Sequence, residues 1–342
     1  MSFTTPILLI AWRRPHTLKQ VIDAIRLVRP LRVFVACDGP NLSRPGESLH
    51  VAETRSVIEH NIDWECSIQR LYSETNLGCK IGVSNAISWF FEQVNEGIIL
   101  EDDCVPLPSF FTYCATLLKR YRNDSRVWCI SGSNFQGGQW RGDGSYYFSR
   151  YNHCWGWASW KRCWEHYDGD MRKWSTLQKS GLLESIFDDP VEVRYWSRIW
   201  QRLIEEHHPN TWDYQWTLTC MINGGLTALP NYNLVRNIGF GLDATHTVSS
   251  RIAQTQTKDL PNFCAPSFIL RDPMADRYSF NHWFGGRWLR FPWSWIRTPA
   301  RLINYWSSHY TRGITSIIKR QRHGANLKRE GNLAHARNPR NH

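Results

Sequence analysis

No run in the 342 residues approaches the roughly 20 consecutive apolar side chains that a membrane-crossing helix needs. The N-terminus has no basic lead and no small-residue cleavage site, and it passes straight into strand-like residues, so no secretory leader is expected. Cysteine occurs ten times but never as a CxxC pair or in a regular frame. That spacing disfavours zinc knuckles and a disulfide scaffold, and reduced thiols in a cytoplasmic protein are the expectation. Internal repeats are absent. Only the stretch from about residue 324 onward is polar, basic and Asn-rich enough to be expected as disordered.

Tryptophan, by contrast, is abundant, at 19 residues. Flat aromatic faces suit sugar rings or a membrane interface, and they are equally ordinary core material. Charge is distributed unevenly. Residues 1–270 carry 27 Lys+Arg against 27 Asp+Glu, whereas residues 271–342 carry 14 against 3. A neutral body therefore leads into a cationic tail.

The first hundred residues alternate strand and helix signals. Strands are expected at 6–11, 32–37, 67–72 and 97–100, with helices at 16–28, around 53–60, and within 78–94. Such alternation predicts a mostly parallel sheet flanked by helices, and sheets of that kind bind ligands at the carboxyl ends of their strands. Asp38 and the run Glu101-Asp102-Asp103 both fall at such ends. After a helix at 109–121 and a strand at 127–131, an aromatic block spans 146–164. Helical material follows at 177–207 and from Trp212, with late strand or loop pieces at 226–230 and 233–237.

Three adjacent carboxylates repel one another, and burying them is costly without a compensating cation. A hard divalent ion takes oxygen ligands and nucleotide phosphates together, so the cluster suits Mn²⁺ or Mg²⁺ with a diphosphate. In context, IILEDDCVPLPSFFTYC resembles the strand and acidic motif of GT-A-fold glycosyltransferases, of the Golgi N-acetylglucosaminyltransferase I type and family-2-like bacterial enzymes. The resemblance extends over roughly residues 6–250, through PILLIAWRRP, VFVACDGP, RVWCISGSN, WGWASWKRCW, WDYQW and a late THT.

The resemblance implies a GT-A-like (Rossmann-like) α/β fold. Residues 1–105 would form the donor-binding half, 106–255 the acceptor-binding half, and 256–342 a basic, Trp-rich extension. It also implies roles. Asp103 would ligate the metal bridging the donor diphosphate, Asp102 would face the ribose, Glu101 the transferred sugar, and Asp38 the base, uracil in the resembling enzymes. Arg13 or Arg14 would contact the diphosphate, a task suited to the guanidinium fork. His246 would close over the diphosphate or add a metal ligand.

Other assignments start from the residues themselves. Lys80, after the Asn76-Leu77-Gly78 turn, would add a cation to the donor site, and the backbone N–H groups beyond Gly78 would face an anion. Asp213 is the candidate general base for inverting transfer, since a carboxylate must take the acceptor hydroxyl proton. The resembling family has two adjacent acids here, whereas this chain has Asp213 followed by Tyr214. Trp155, Trp157 and Trp212 would line the acceptor side, with Gly156 letting a sugar approach the backbone.

In the tail, Trp283, Trp288, Trp293, Trp295 and Trp306 are interleaved with Arg, a pattern that suits an anionic membrane surface better than nucleic acid. The expected activity is metal-dependent transfer of a sugar from a nucleotide-diphosphate donor, such as a UDP-sugar, to a glycan or lipid-linked acceptor. Two alternatives stand beside it. One is a sugar nucleotidyltransferase, disfavoured by the lack of glycine in the loop AWRRP after the first strand. The other is a non-enzymatic membrane- or nucleic-acid-binding protein acting through the tail.

Overall fold

Five consecutive aliphatic residues, Ile7–Ala11, form β1, and all five are buried. A strand covered on both faces needs no polar alternation, which is why this run reads as continuously apolar. The computed structural model describes residues 2–206, 209–239, 256–260 and 263–290. After β1, α1 (Pro15–Arg26) opens with Pro15 in its first turn, where the missing N–H costs nothing. Its buried Leu18, Val21, Ile22 and Ile25 form one stripe against the sheet. The order continues β2 (Arg32–Cys37), α2 (Glu47–Asn61), β3 (Ser67–Tyr72), α3 (Gly78–Gln93) and β4 (Glu96–Glu101).

Beyond β4 the chain forms β5 (Cys104–Pro106), α4 (Pro108–Tyr121), β6 (Val127–Ser131), β7 (Tyr146–Ser149) and β8 (Trp157–Trp160). Short helices α5 (Lys161–Trp164), α6 (Trp174–Ser180) and α7 (Leu183–Ile186) precede α8 (Pro190–Glu205). The helical material expected at 177–207 is thus broken, by left-handed Gly181 and by Asp189, which caps α8 through Val191 N–H. Next come α9 (Asp213–Ile222), β9 (Leu226–Pro230), β10 (Val235–Asn237) and α10 (Pro273–Tyr278), which runs on as a π-helical turn, Ser279–Trp283.

Eight strands form one sheet in the order β3-β2-β1-β4-β8-β6-β9-β7, and β10 pairs with β5 separately. The β3-β2-β1-β4 portion is wholly parallel, and β8 and β7 pair antiparallel with their neighbours. This is the mixed, mostly parallel α/β sheet expected from the sequence. Strand order reverses between β1 and β4, so the crevice at their carboxyl ends is the switch point where such sheets take ligands. Register makes the three ends level: Ile10 lies beside Glu101 and Ala11 beside Cys37. The loops after β1, β2 and β4 therefore meet at one edge.

The unit that holds this sheet ends at Phe284, and residues 285–290 belong to a second unit. Within the first unit, the chain near Arg271 pairs with Phe148 of β7, and buried Asp276 accepts from Ser149 and from Nε of Arg150 and Arg271. Residues 271–284 are thereby fastened to the edge of the sheet. No helix among the described residues is long and apolar enough to cross a membrane.

Candidate functional site

The three strand-end loops enclose a cleft of about 680 Å³, whose lining includes Arg13, Arg14, Asp38, Glu101, Asp102 and Asp103. Six of the residues singled out from sequence thus converge. Arg14, which precedes α1, reaches across to the β4 loop. Its Nη2 donates to Asp102 Oδ1 at 2.5 Å and its Nη1 to Asp103 Oδ2 at 2.9 Å. Trp12 N–H donates to Asp102 Oδ2 at 3.2 Å, and the Trp12 indole donates to Gly39 O at 3.0 Å, tying the three loops together. Arg13 lies over the Trp12 ring, 4.6 Å from its centroid, and 3.8 Å from Glu47.

One guanidinium does not neutralise three carboxylates. Burial pushes the Glu101 carboxyl up, and the charges of Asp103 and Asp102 push it further against the pull of Arg14. Burial raises Asp102 as well, with Arg14 opposing and Asp103 adding to the rise. Burial works against the Arg14 charge, but Asp102, Asp103 and Glu101 outweigh it and hold the guanidinium firmly protonated. The cluster is short of positive charge.

Asp38 occupies the second loop in an unexpected way. Its carboxylate accepts from the backbone N–H groups of Gly39, Leu77 and Gly78 and from Asn76 Nδ2, all within 3.2 Å. Burial raises its pKa, with those backbone donors pulling the other way. The N–H groups of Leu77 and Gly78 are therefore given to Asp38, and beyond Gly78, where the backbone was expected to face an anion, Cys79 N–H is given to Asn210 Oδ1 at 2.7 Å. Asn210 lines the cleft and was not singled out from sequence, where a loop asparagine carries no distinguishing signal.

The remaining candidates divide. Lys80 pairs with Asp170 at 3.1 Å and is not among the residues that line the cleft. Asp213 opens α9 and accepts from the Thr211 hydroxyl, and its charge contributes to the upward push on Glu101. Trp155 lines the cleft, edge-on to Phe135 and Trp283, and those two rings stack with centroids 3.6 Å apart. Trp283, expected in a membrane-facing tail, is thus part of this packed cluster.

Trp157 and Trp212 are a correction. They are only 1% and 3% exposed and stack on one another in the core, so neither offers a face to an acceptor. Gly156 has φ +67°, and a Cβ there would lie 2.7 Å from Val235 Cγ2. Close packing by β10, not an approaching sugar, accounts for that glycine. His246 lies outside the described residues, as do Trp293, Trp295 and Trp306. Among the described residues, no group of three or more His, Cys, Asp or Glu converges as a metal cage.

No protein-family model matches the chain, and no curated protein sequence matches it. Solved structures do. HddC from Yersinia pseudotuberculosis complexed with GMP-PN is 10% identical, with 48% of this chain and 80% of that one covered and a TM-score of 0.31. A UDP-glucose pyrophosphorylase complexed with UDP-glucose is 9% identical over 66% of this chain and 90% of that one, at 0.36. A UTP-bound UGPase from Acinetobacter baumannii is 5% identical over 66% and 85%, at 0.33. A pyrophosphorylase belongs with the nucleotidyltransferase alternative more closely than with a glycosyltransferase, but likenesses this distant carry no functional argument.

Proposed function

We propose that the cleft binds a nucleoside-diphosphate sugar with a divalent cation, and that the protein transfers the sugar to an acceptor hydroxyl. The observation that carries this reading is the under-neutralised cluster of Glu101, Asp102 and Asp103 with Arg14, set at the β1/β4 switch point. Hard oxygen donors suit Mg²⁺ or Mn²⁺. Mg²⁺ in particular is usually held by one or two carboxylates, with phosphates and water completing its shell, so a full protein cage is not required. Asp103, with Asp102 beside it, would hold the ion. Once bound, it would stabilise negative charge on the departing diphosphate.

The other residues bind and orient. Arg13 and Arg14 supply guanidinium forks for the phosphates. Glu101 faces the transferred sugar, Asp213 takes the acceptor proton, and Trp155 borders the acceptor. Asp38 acts on the base through the Leu77–Gly78 loop that it clamps, because its own oxygens already have four partners.

Sugar nucleotidyltransfer is the second reading, the class to which the pyrophosphorylase neighbours belong. The β1–α1 loop weighs against it: Trp12 N–H goes to Asp102, Pro15 has no N–H, and no glycine-rich phosphate cradle follows β1. Product analysis separates the two. With Mn²⁺ and a panel of UDP-sugars, glycosyl transfer predicts release of UDP, slowly to water when no acceptor is supplied. Pyrophosphate formed from UTP and a sugar 1-phosphate, with no UDP from any UDP-sugar, would overturn the first reading in favour of the second.

A further inference from the structure

The Arg14 guanidinium bridges Asp102 Oδ1 and Asp103 Oδ2, at 2.5 and 2.9 Å. On the proposed donor site, on which this inference rests, those carboxylates also hold the divalent cation. Two positive charges held on one carboxylate pair repel each other, so the guanidinium and the cation compete for it. The protein backbone closes one side of the pair. Ile238 N–H donates to Asp103 O at 2.8 Å, and a Cβ on Gly239 would lie 2.0 Å from Asp103 Oδ2 and 2.7 Å from Arg14 Nη1. Arg14 itself lines the cleft and is about one-fifth exposed, so its way out is toward the cleft.

We infer that Arg14 has two stations, one bridging Asp102 and Asp103 and one on the donor diphosphate, and that this exchange makes cation and nucleotide bind as a pair. At the first station Arg14 competes with the cation, so the cation alone binds weakly. A diphosphate offers the guanidinium a second fork of oxygens. Each ligand then raises the affinity of the other, and the coupling is reciprocal. An ion pair serving only to neutralise buried carboxylates would behave differently, because its removal would leave the enhancement of cation binding by the nucleotide unchanged.

The test is titration of the full chain with Mn²⁺, read by the loss of the free-ion paramagnetic resonance signal, with and without UDP. Wild type, Arg14→Ala and Arg14→Lys are compared. Without UDP, Arg14→Ala is expected to bind Mn²⁺ about tenfold tighter than wild type, with Arg14→Lys between them, since a point charge bridges two carboxylates less well than a fork. The enhancement of Mn²⁺ binding by UDP is expected to be large in wild type and much smaller in Arg14→Ala. If Arg14→Ala does not fold, Arg14→Lys carries the test alone, with tighter Mn²⁺ binding again expected. Unchanged or weaker Mn²⁺ binding in the folded variants, with wild-type coupling to UDP retained, overturns the two-station inference and leaves the donor site standing. Absence of Mn²⁺ binding to wild type even with UDP overturns the donor site, and the inference with it.

Discussion

From β3 to β4 the sheet collects charge at one edge, whereas from β6 to β9 the molecule collects aromatic rings in its interior. In the first region, the aliphatic runs of β1 and β4 and the stripe on α1 contribute to the core, and the charged groups of the cleft lie at the ends of β1, β2 and β4. In the second region, α8 of 16 residues and α9 of 10 stand among strands of five residues or fewer and the short helices α5, α6 and α7. The short pieces bring little apolar surface each, so large side chains must close the gaps. Trp157, Trp160, Trp196, Trp200 and Trp216 are all essentially inaccessible. Several satisfy their indole N–H internally, Trp160 on Leu118 O and Trp200 on Tyr214 O. Nine of the described tryptophans are buried and serve packing, whereas the proposed function rests on a few charged groups elsewhere.

The most disruptive probe of this contrast is Trp157→Ala. Emptying a buried tryptophan site is expected to cost about 3–5 kcal/mol in urea unfolding, while nucleotide affinity of the folded protein stays within about twofold. Trp157→Phe should recover most of the loss, because the Trp157 indole N–H has no partner. Retained stability in Trp157→Ala would show that its ring is not core packing and break the comparison.

Asp38→Ala should cost about 2–3 kcal/mol, since it strands the N–H groups of buried Gly39 and half-buried Gly78, and should weaken nucleotide binding through the loosened 76–78 loop. A residue that only reads the base would lose affinity with stability unchanged, so calorimetric unfolding beside a UDP titration separates the two roles.

His153 sharpens the aromatic side. Burial among Phe135, Trp283 and Phe284 lowers its pKa from 6.5 to about 3. The unfolded chain binds the proton first as pH falls, so the stability associated with neutral His153 is complete above 6.5 and is lost below it. Between pH 7 and pH 5 the loss should be about 2 kcal/mol. His153→Phe should flatten that slope, and an unaltered slope would assign the acid sensitivity to other groups. Lys80→Ala should do least, under about 1 kcal/mol in stability and less than about threefold in nucleotide affinity. A larger affinity loss would restore Lys80 to the donor site.

How far the sequence was legible follows the same division. The expected strands at 6–11, 32–37, 67–72, 97–100 and 127–131 match β1, β2, β3, β4 and β6 to within a residue or so, because aliphatic runs ending in turn residues are unambiguous. α2 begins at Glu47, earlier than expected, since its apolar residues make no clean stripe and Leu49 is exposed. β7 and β8 were hidden inside the aromatic block, whose strands are buried on both faces and so show no alternation. The strand-end carboxylates could be read locally. Asn210, 131 residues from its partner Cys79, could not, and neither could the docking of Asp276 against Arg150. Both depend on contacts that only the closed fold creates.

The most direct test is calorimetric titration of the purified protein with UDP, with and without Mn²⁺, beside Asp103→Ala. The account predicts UDP binding that needs Mn²⁺ and that Asp103→Ala abolishes without unfolding the protein. Failure of UDP and the other nucleoside diphosphates to bind in the presence of Mn²⁺, or equal binding by Asp103→Ala, would contradict it.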